Sequence, residues 1–471
     1  MKSQENVNIR MLVLEMLLTV SDKSQQDASQ PAYSHIVVRD VLNKYNYLSQ
    51  KEKAFIKRLF EGTLERMIEL DYVINVFSKV KVNKQKPVIR TILRMGVYQI
   101  LYMDAVPDSA ACNEAVKLAQ KKGFATLKGF VNGILRNISR NKDSIEYPDP
   151  KSDFEYYLSV KYSMPDWIVR MWVEQLGREK TENVLEGLLK EHPVTVRFRE
   201  EGTFIEKFEN VLTDQGGSME QHSYLQYAYK ITKTDDITQL PGYETGNFLV
   251  QDVSSMLAVE AVVKSFVDVN GLEKDEKIQV LDICAAPGGK SMLIADLLKK
   301  AGIDCHVEAR DISENKTCIM NENFERCGFD NVRANCFDAT SIDEEWIGKA
   351  DIVIADVPCS GLGVIGKKRD IKYKMSKQSV DAITELQENI LDVAYQYLKK
   401  DGLLLFSTCT VNSVENDKHF EWLKNEKNMT AVSLEKYFPQ LIYADTANEG
   451  YIQLLPGIHD TDGFFFSVLK K

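Results

Sequence analysis

The stretch VLDICAAPGGKS (residues 280–291) joins a short apolar run to a glycine turn and the start of a helix. Asp282 ends the apolar run, the Pro-Gly-Gly sequence at 287–289 predicts a tight turn, and Lys290 begins a helical pattern. Glycines let a ligand approach the backbone, and a helix N-terminus favours negative charge. The spacing fits neither G-x-G-x-x-G nor the phosphate loop G-x-x-x-x-G-K-[ST], so the stretch alone predicts a ligand turn without naming the ligand.

Strand-like and helical patterns alternate around this stretch. The apolar runs cover residues 278–283, 305–309, 352–355 and 403–406, and helical patterns cover 290–300, 313–327 and 376–399. Such alternation predicts a parallel, doubly wound sheet. Right-handed crossovers then bring the carboxyl ends of all strands to one edge, where ligands bind.

The rest of the chain has a different sequence pattern. Residues 1–140 show apolar positions at helical spacing, and Ser49 and Glu52 have the spacing of a capping box. A polar, proline-containing stretch at 141–153 reads as a linker, and a mixed helix and strand pattern follows it. We therefore expect a multidomain chain with an all-α bundle (1–140), a linker and small α/β segment (141–243), and an α/β domain (244–471).

The charge is unevenly distributed between these regions. The chain as a whole has a formal net charge of −10, but residues 1–140 have a net charge of +9 and the remainder −19. A basic helical region joined to an acidic remainder suggests that the helical region binds a polyanion such as a nucleic acid. The alternative, that helical surfaces are often rich in lysine, stays open at this point.

The cysteines and the hydropathy exclude several classes of protein. Eight cysteines without a C-x-x-C pair predict neither a disulfide scaffold nor a metal site. No apolar run reaches the length of a membrane span, and the N-terminal stretch reads as an amphipathic helix with no cleavage site. We expect a cytoplasmic protein with free thiols.

Acidic residues follow two of the predicted strands. Asp311 lies about twenty residues after the glycine turn, where a carboxylate can accept the ribose hydroxyls of an adenosine-type cofactor. Asp338 follows the next short strand. A helix N-cap, for which Ser313 is suitable, is the alternative for the first of these turns. One acid at each of two consecutive strand ends favours the adenosine site.

Two cysteines follow the last two predicted strands. Cys359 lies in DVPCSGLG after Asp356, and Cys409 lies in FSTCT. If these two strands are adjacent, their ends bring the thiols together. Cys284 differs, because its place in the glycine turn suggests contact with the cofactor through the backbone. Lys290 is a candidate cation for lowering the pKa of a reactive thiol.

Two thiols and an acid at one sheet edge suit the methylation of cytosine at C5. Attack of a thiolate on C6 makes C5 nucleophilic, and an acid at N3 stabilises the adduct. After methyl transfer, the C5 proton and the enzyme thiol must leave. Cys409 could be the nucleophile, Asp356 the N3 partner and Cys359 the group that assists release.

The motifs CAAPGGK, DVPCSGLG and FSTCT resemble, in order and spacing, those of bacterial 16S rRNA cytosine-5 methyltransferases of the RsmB (Sun/Fmu) type. The resemblance implies a Rossmann-like class I methyltransferase domain that uses S-adenosyl-L-methionine. It implies Cys409 as nucleophile and Cys359 in product release. The implied cofactor contacts are Cys284, Ala285, Ala286, Pro287, Gly288, Gly289, Lys290, Asp311, Asp338 and Asp356.

The front half resembles the NusB-like RNA-binding domain of the same family, in EKAFIKRLFEGTLER, RMGVYQILYMDAVPDSAACNEAVKLA and GFVNGILRNISR. The resemblance implies 16S rRNA as the partner; we expect a monomer without a metal. Three positions depart from the family pattern. Lys367 and Arg369 stand where an arginine-rich stretch followed by Pro-Asp is common, and Arg199 stands where we expect an asparagine. We expect these departures to affect how the chain binds RNA.

Three other functions remain open on the sequence. A cytosine-5 methyltransferase could act on tRNA or 23S rRNA instead. A NusB-like domain also occurs with non-catalytic RNA-binding or antitermination factors, although intact cysteine and cofactor motifs argue against that class. An amino-group methyltransferase usually has Asn/Asp-Pro-Pro-aromatic at the fourth strand end, whereas here Cys359 follows Pro358.

Overall fold

The computed structural model describes residues 7–21, 33–191, 193–200, 202–233, 236–271, 277–441 and 445–471. The first six residues of the predicted N-terminal helix lie outside these ranges. The chain forms two compact units, one of Met1–Leu185 with Lys367–Lys374 and one of Glu186–Gly366 with Met375–Lys471. Within the described ranges, no helix has the length and apolar character to cross a membrane.

The first unit is helical, as predicted. Its helices are α1 (Ile9–Ser21), α2 (Ser34–Lys44), α3 (Gln50–Glu65), α4 (Met67–Phe77), α5 (Pro87–Tyr102), α6 (Asp108–Lys121), α7 (Lys128–Asn141), α8 (Phe154–Lys161) and α9 (Asp166–Leu176). The predicted capping box begins α3, where Ser49 and Glu52 bond reciprocally. Buried apolar side chains from α1 to α7 share one core. Helix α10 (Arg178–Leu188) crosses the division between the two units.

The second unit begins with a small antiparallel sheet. Its strands are β1 (Val194–Phe198), β2 (Ser218–Gln221), β3 (Ala228–Thr232) and β4 (Phe248–Val250), in the order β2-β3-β1-β4, with α11 (Thr203–Asp214) beside them. Apolar residues of β1 and α11 form its core. Arg199, directly after β1, donates to Asp296 at 3.0 Å and to the Cys327 carbonyl at 2.6 Å. This departure from the family pattern therefore binds groups of the protein itself.

The larger sheet contains the predicted parallel strands. It consists of β5 (Ile278–Asp282), β6 (Cys305–Asp311), β7 (Val332–Cys336), β8 (Ala350–Asp356), β9 (Leu398–Thr408), β10 (Thr430–Ala431), β11 (Tyr451–Leu454) and β12 (Phe464–Lys470). The order is β10-β12-β9-β8-β5-β6-β7, with β11 paired to β12. Strands β5 to β9 run parallel to their neighbours among themselves, which confirms the doubly wound prediction. The antiparallel strands at the β12 side were not predicted.

Helices cover both faces of this sheet. They are α12 (Val253–Asn270), α13 (Gly289–Lys300), α14 (Glu314–Arg326), α16 (Lys377–Tyr397) and α17 (Asp417–Glu426). Successive strand residues point to opposite faces. Val280 packs in the core that includes α12, α13 and α14, and its neighbour Leu281 packs in the core that includes α16 and α17. Residues buried on both faces explain the continuous apolar runs that identified the strands.

Residues 367–374, which end in the short helix α15 (Ile371–Lys374), belong to the first unit. Arg369 donates to Glu65 and to Glu61, each at 2.9 Å. Its side chain is about a quarter exposed, at 27%. The guanidinium of Arg369, which also departs from the family pattern, is therefore hydrogen-bonded to two carboxylates of α3.

Candidate active site

The two cysteines that the sequence predicts as partners lie at adjacent strand ends. Strands β8 and β9 pair in parallel, with Asp356 opposite Ser407, so the loops that follow them start side by side. The Sγ atoms of Cys359 and Cys409 are 3.2 Å apart, within hydrogen-bonding distance. The condition on which the sequence argument depended, that these two strands are adjacent, is met.

The environment of Cys359 favours its protonated form. The hydrogen bond with Cys409 raises the pKa of Cys359, and burial together with the charges of Cys409 and Glu415 raises it further. A thiol with a raised pKa keeps its proton at neutral pH. Cys359 can therefore donate its S–H to the sulfur of Cys409.

An ion pair lies beside the thiols. Asp356 accepts a hydrogen bond from Lys290 Nζ at 2.6 Å through Oδ2 and one from Ser407 Oγ at 2.8 Å through Oδ1. Burial lowers the pKa of Lys290, but the charges of Asp356, Asp282 and Cys409 outweigh burial and raise it. The sequence identified Lys290 as a candidate cation without placing it. The structure pairs it with Asp356, while its charge also favours an anion at Cys409.

The predicted cofactor loop, Cys284–Lys290, connects β5 to α13. Gly288 adopts the left-handed conformation with φ of 95°, and no side chain caps the described N-terminus of α13. Ala285 N donates to the carbonyl of Arg310 at 2.7 Å, which ties the loop to the end of β6. Burial raises the pKa of Cys284, as do nearby carboxylates, so this thiol stays protonated.

The two further predicted acids have different surroundings. Asp311 Oδ1 accepts a hydrogen bond from Ser313 N at 3.1 Å, and Lys316 Nζ lies 3.2 Å from Oδ2. Ser313 itself caps α14, so the N-cap weighed as the alternative is present, next to Asp311. Asp338 accepts hydrogen bonds from the backbone N and the hydroxyl of Thr340, in a turn of its own after β7. No described hydrogen bond joins Asp338 to the loop or the thiols.

The sequence reasoning missed a buried carboxylate near the thiols. Glu415 is 0% exposed and accepts hydrogen bonds from the backbone N of Ser360 at 2.7 Å and from its Oγ at 2.5 Å. Its sequence signal was weak, because the polar run NSVEN after Cys409 reads equally well as the approach to a helix. The adjacent Asn416 is also fully buried.

Comparisons with known proteins agree with this architecture. A family described as 16S rRNA methyltransferase RsmB/F matches residues 269–470, and the NusB family matches residues 7–140. A probable ribosomal RNA small subunit methyltransferase B of Bacillus subtilis is 31% identical over 99% of this chain and 99% of its own length. The chain belongs to the ribosomal RNA small subunit methyltransferase B family.

A second member and a solved structure extend this match. The ribosomal RNA small subunit methyltransferase B of Vibrio vulnificus is 27% identical over 89% of this chain and 92% of its own length. The crystal structure of PH0851 is 22% identical, covers 98% of each chain and has a TM-score of 0.76, which shows the shared fold. In this methyltransferase B family member, the cysteine pair lies within the part matched to RsmB/F, and the helical bundle coincides with the NusB match.

Proposed function

We propose that this chain transfers a methyl group from S-adenosyl-L-methionine to C5 of a cytosine in 16S rRNA, through a covalent adduct between Cys409 Sγ and cytosine C6. The observation that carries this proposal is the pair of thiols, 3.2 Å apart at adjacent strand ends. Methylation at C5 needs one thiol to attack and a second group to help it leave. An amino-group transfer needs neither.

The residues present fit the cofactor. The N-terminus of α13 has backbone N–H groups that no described side chain caps, and Gly288 has a conformation that L side chains rarely adopt. Gln251 Oε1 is buried without a described hydrogen-bond partner, close to Gly289. The Cys284–Lys290 loop would hold the cofactor with Asp311, and Asp338 would complete the contacts. When bound, the cofactor supplies an electrophilic methyl group.

Cys409 acts as the nucleophile in this proposal. Its thiolate attacks C6, forming the S–C6 bond and moving the electrons of the C5=C6 bond onto C5. Asp356 lies at the end of β8 and bonds Lys290 and Ser407, which fixes its carboxyl group. In the proposed contact, a proton shared between Asp356 and N3 of the base balances the negative charge that the attack places on the ring. The cation of Lys290 favours the thiolate before attack.

Cys359 acts in release. After methyl transfer, the C5 proton passes to solvent, the C5=C6 bond reforms and the S–C6 bond breaks. Cys359 keeps its proton because its hydrogen bond with Cys409 raises its pKa. Its S–H can then stabilise the departing thiolate of Cys409 by a charge-assisted hydrogen bond.

The basic helical region supplies the contact with RNA in this proposal. Residues 1–140 have a net charge of +9, while the remainder has −19. Neutralisation of RNA phosphates by lysine and arginine makes binding weaken with added salt. The match of the same residues to the NusB family supports the assignment.

Substitution of each cysteine tests the mechanism. Cys409→Ala should abolish methylation of a 16S rRNA fragment and form no covalent adduct, because the attacking sulfur is absent. Cys359→Ala should slow turnover and accumulate an RNA–protein adduct on denaturing gels, because release is impaired. Methylation by the Cys409→Ala variant, or the absence of any adduct with Cys359→Ala, would contradict the proposed roles.

The substrate is tested by bisulfite sequencing of RNA from a strain that lacks this chain. Loss of one 5-methylcytosine in 16S rRNA supports the proposal, and its return on expression of the wild-type chain, but not of Cys409→Ala, ties the mark to this site. Loss of a 5-methylcytosine in 23S rRNA or tRNA instead would overturn the substrate assignment, but it would still support the proposed cytosine-5 reaction.

A further inference from the structure

A single buried carboxylate anchors the backbone beside Cys359. Ser360 follows Cys359 directly, and both its backbone N–H and its hydroxyl donate to Glu415, at 2.7 and 2.5 Å. Gln387 Nε2 donates to the carbonyl of Pro358 at 2.8 Å, on the other side of the cysteine. The residues on both sides of Cys359 are therefore held by hydrogen bonds to buried side chains.

The next residue, Asn416, anchors the backbone beside Cys409 in the same way. Asn416 Oδ1 accepts a hydrogen bond from Thr408 Oγ1 at 2.5 Å, and Asn416 Nδ2 donates to the carbonyl of Thr410 at 3.1 Å. Thr408 and Thr410 are the two residues that flank Cys409. Asn416 is 0% exposed, so its amide has no competing contact with solvent.

The two anchors are connected to each other. Ser360 Oγ and Thr410 Oγ1 are 2.7 Å apart, and Asn412 Nδ2 donates to Glu415 Oε1 at 2.9 Å. A fully buried carboxylate is costly unless hydrogen bonds satisfy its oxygens. The donors to Glu415 named here are neutral and belong to the two loops that contain the cysteines, Ser360 to one and Asn412 to the other.

We propose that Glu415 and Asn416 are positioning residues, Glu415 for Cys359 and Asn416 for Cys409, which together set the distance between the two thiols. The catalytic consequence of this inference rests on the proposed function, whereas the anchoring concerns the protein alone. A displacement of about 1 Å at a reacting group can cost on the order of 100-fold in rate. Each anchor therefore controls one step, attack or release.

Glu415 also acts on Cys359 through its charge. The pKa of Cys359 is raised by its hydrogen bond with Cys409, by burial and by the charge of Cys409. The charge of Glu415 raises it further. Glu415→Gln keeps the size of the side chain, removes the charge and replaces one acceptor by a donor that faces the N–H or O–H of Ser360. Asn416→Asp keeps the acceptor for Thr408 and turns an oxygen towards the carbonyl of Thr410.

The first measurement needs no RNA. Alkylation of each cysteine by iodoacetamide, followed across pH by peptide mass spectrometry, reports the pH at which Cys359 becomes a thiolate. Glu415→Gln should move the Cys359 midpoint to lower pH, and Asn416→Asp should leave it closer to that of the wild type. Glu421→Gln, an exposed acid on α17 that pairs with Lys424, is the matched control and should move nothing.

The second measurement uses the 16S rRNA fragment with S-adenosyl-L-methionine. Glu415→Gln should accumulate adduct as Cys359→Ala does, whereas Asn416→Asp should form adduct on the order of 10- to 100-fold more slowly in a single turnover. Ser360→Ala, which removes only the hydroxyl donor, should act like Glu415→Gln to a smaller degree. Melting temperatures identify any variant that fails to fold, and Ser360→Ala then carries the test for the Cys359 anchor.

The outcomes separate this inference from the proposed function. If Glu415→Gln shifts the Cys359 midpoint but the wild type and Cys359→Ala form no adduct, the proposed chemistry fails and the anchoring stands. If Cys359→Ala accumulates adduct but Glu415→Gln and Asn416→Asp behave alike in both measurements, the division between the two anchors is overturned. An unshifted Cys359 midpoint in Glu415→Gln overturns the Glu415 assignment.

Discussion

Two lysines with little exposure to solvent, one in each unit, have different partners. In the second unit, the Lys290 side chain is 11% exposed and its Nζ donates to the carboxylate of Asp356 at 2.6 Å. In the first unit, Lys372 is 2% exposed and its Nζ donates to two backbone carbonyls, those of Glu65 at 2.8 Å and Ser163 at 2.7 Å. Both ammonium groups have acceptors at good distances, so hydrogen-bond satisfaction does not distinguish them.

Their pKa values shift in opposite directions. Burial lowers the pKa of Lys372 to about 7, with the charge of Glu65 opposing this only in part. Burial also lowers the pKa of Lys290, but the charge of Asp356 leads a set of anions that reverses the shift. A carbonyl dipole satisfies an N–H without compensating a desolvated charge, whereas a carboxylate does both. The charges of Arg66 and Arg369 also lower the pKa of Lys372, whereas the charges named around Lys290 are anions. The neighbouring charges, together with burial, therefore decide whether such a lysine stays a cation.

The largest expected effect follows from removing Lys290. Lys290→Met leaves Asp356 without its counter-ion. The Asp356 side chain is 30% exposed, so water compensates part of the charge, and the cost in stability should lie below the value of about 3–5 kcal/mol that is typical of a fully buried pair. We expect methylation of the 16S rRNA fragment to fall by about 100-fold or more and the melting temperature to drop. Single-turnover methylation and thermal unfolding by circular dichroism measure the two effects.

The double variant Lys290→Met with Asp356→Asn sharpens this test. With both charges removed, no uncompensated charge stays buried, so the melting temperature should recover most of the loss. Methylation should stay low, because the cation near Cys409 and the carboxyl group proposed for N3 are both absent. Recovery of activity in the double variant would show that the pair serves stability alone.

The sequence predicted the Lys290 region far better than the Lys372 region. Lys290 follows a glycine turn at a strand end, a local pattern that places it at the ligand edge of a sheet. Lys372 lies in the run KKRDIKYK, where every local rule describes an exposed basic segment. Its burial comes from contacts with residues about 200 to 300 positions away, and no local period reports such contacts.

Within the candidate site, too, the sequence predicts the residues that follow a local pattern and misses those placed by distant contacts. Asp311, Asp356, Cys359 and Cys409 follow apolar runs, so strand prediction together with the parallel topology places them at one edge. Glu415 follows no strand directly, and it acts by accepting from Ser360 of another loop. The antiparallel strand β12 was missed as well, because its pairing with β9 is set by tertiary packing. Local patterns thus predicted the groups that we propose to react, and they left out the groups that hold them.

An intermediate effect is expected from Lys372→Met. The unfolded chain holds the lysine proton up to about pH 10.4, and the folded chain loses it near pH 7. Between these values the unfolded state binds more protons, so the stability of wild type rises with pH, by at most about 1.4 kcal/mol per pH unit. The variant lacks this rise and leaves two carbonyls unpaired, at a cost of about 1–3 kcal/mol.

The melting temperature of Lys372→Met should therefore fall further below that of the wild type at pH 9 than at pH 6.5. Lys57→Met, which replaces an exposed lysine of α3, is the matched control and should show no such divergence. Equal differences at the two pH values would mean that Lys372 keeps its proton in the folded chain. It would then behave like Lys290 despite having carbonyl partners, and the comparison would fail.

The smallest expected effect comes from Asp282, which repeats the comparison with an acid. Asp282 is 0% exposed, accepts one hydrogen bond from Ser291 at 2.7 Å, and has no described partner for Oδ1. Burial raises its pKa to about 7, and the Ser291 bond opposes this only in part. Like Lys372, it is a buried group whose neighbours, here including the Lys290 cation, compensate its charge only in part.

The sign of its pH dependence is opposite to that of Lys372. From about pH 4 to pH 7 the folded chain holds the Asp282 proton and the unfolded chain does not, so stability falls as pH rises through this window. Asp282→Asn has no proton to lose, so its melting temperature should gain on that of the wild type between pH 5 and pH 8. The gain is at most about 1.4 kcal/mol per pH unit within this window. The new amide group lacks a partner where Oδ1 lacked one, which shifts the stability of the variant by the same amount at every pH. A difference independent of pH would mean that Lys290, 11% exposed and adjacent in the same site, compensates Asp282 as it does Asp356.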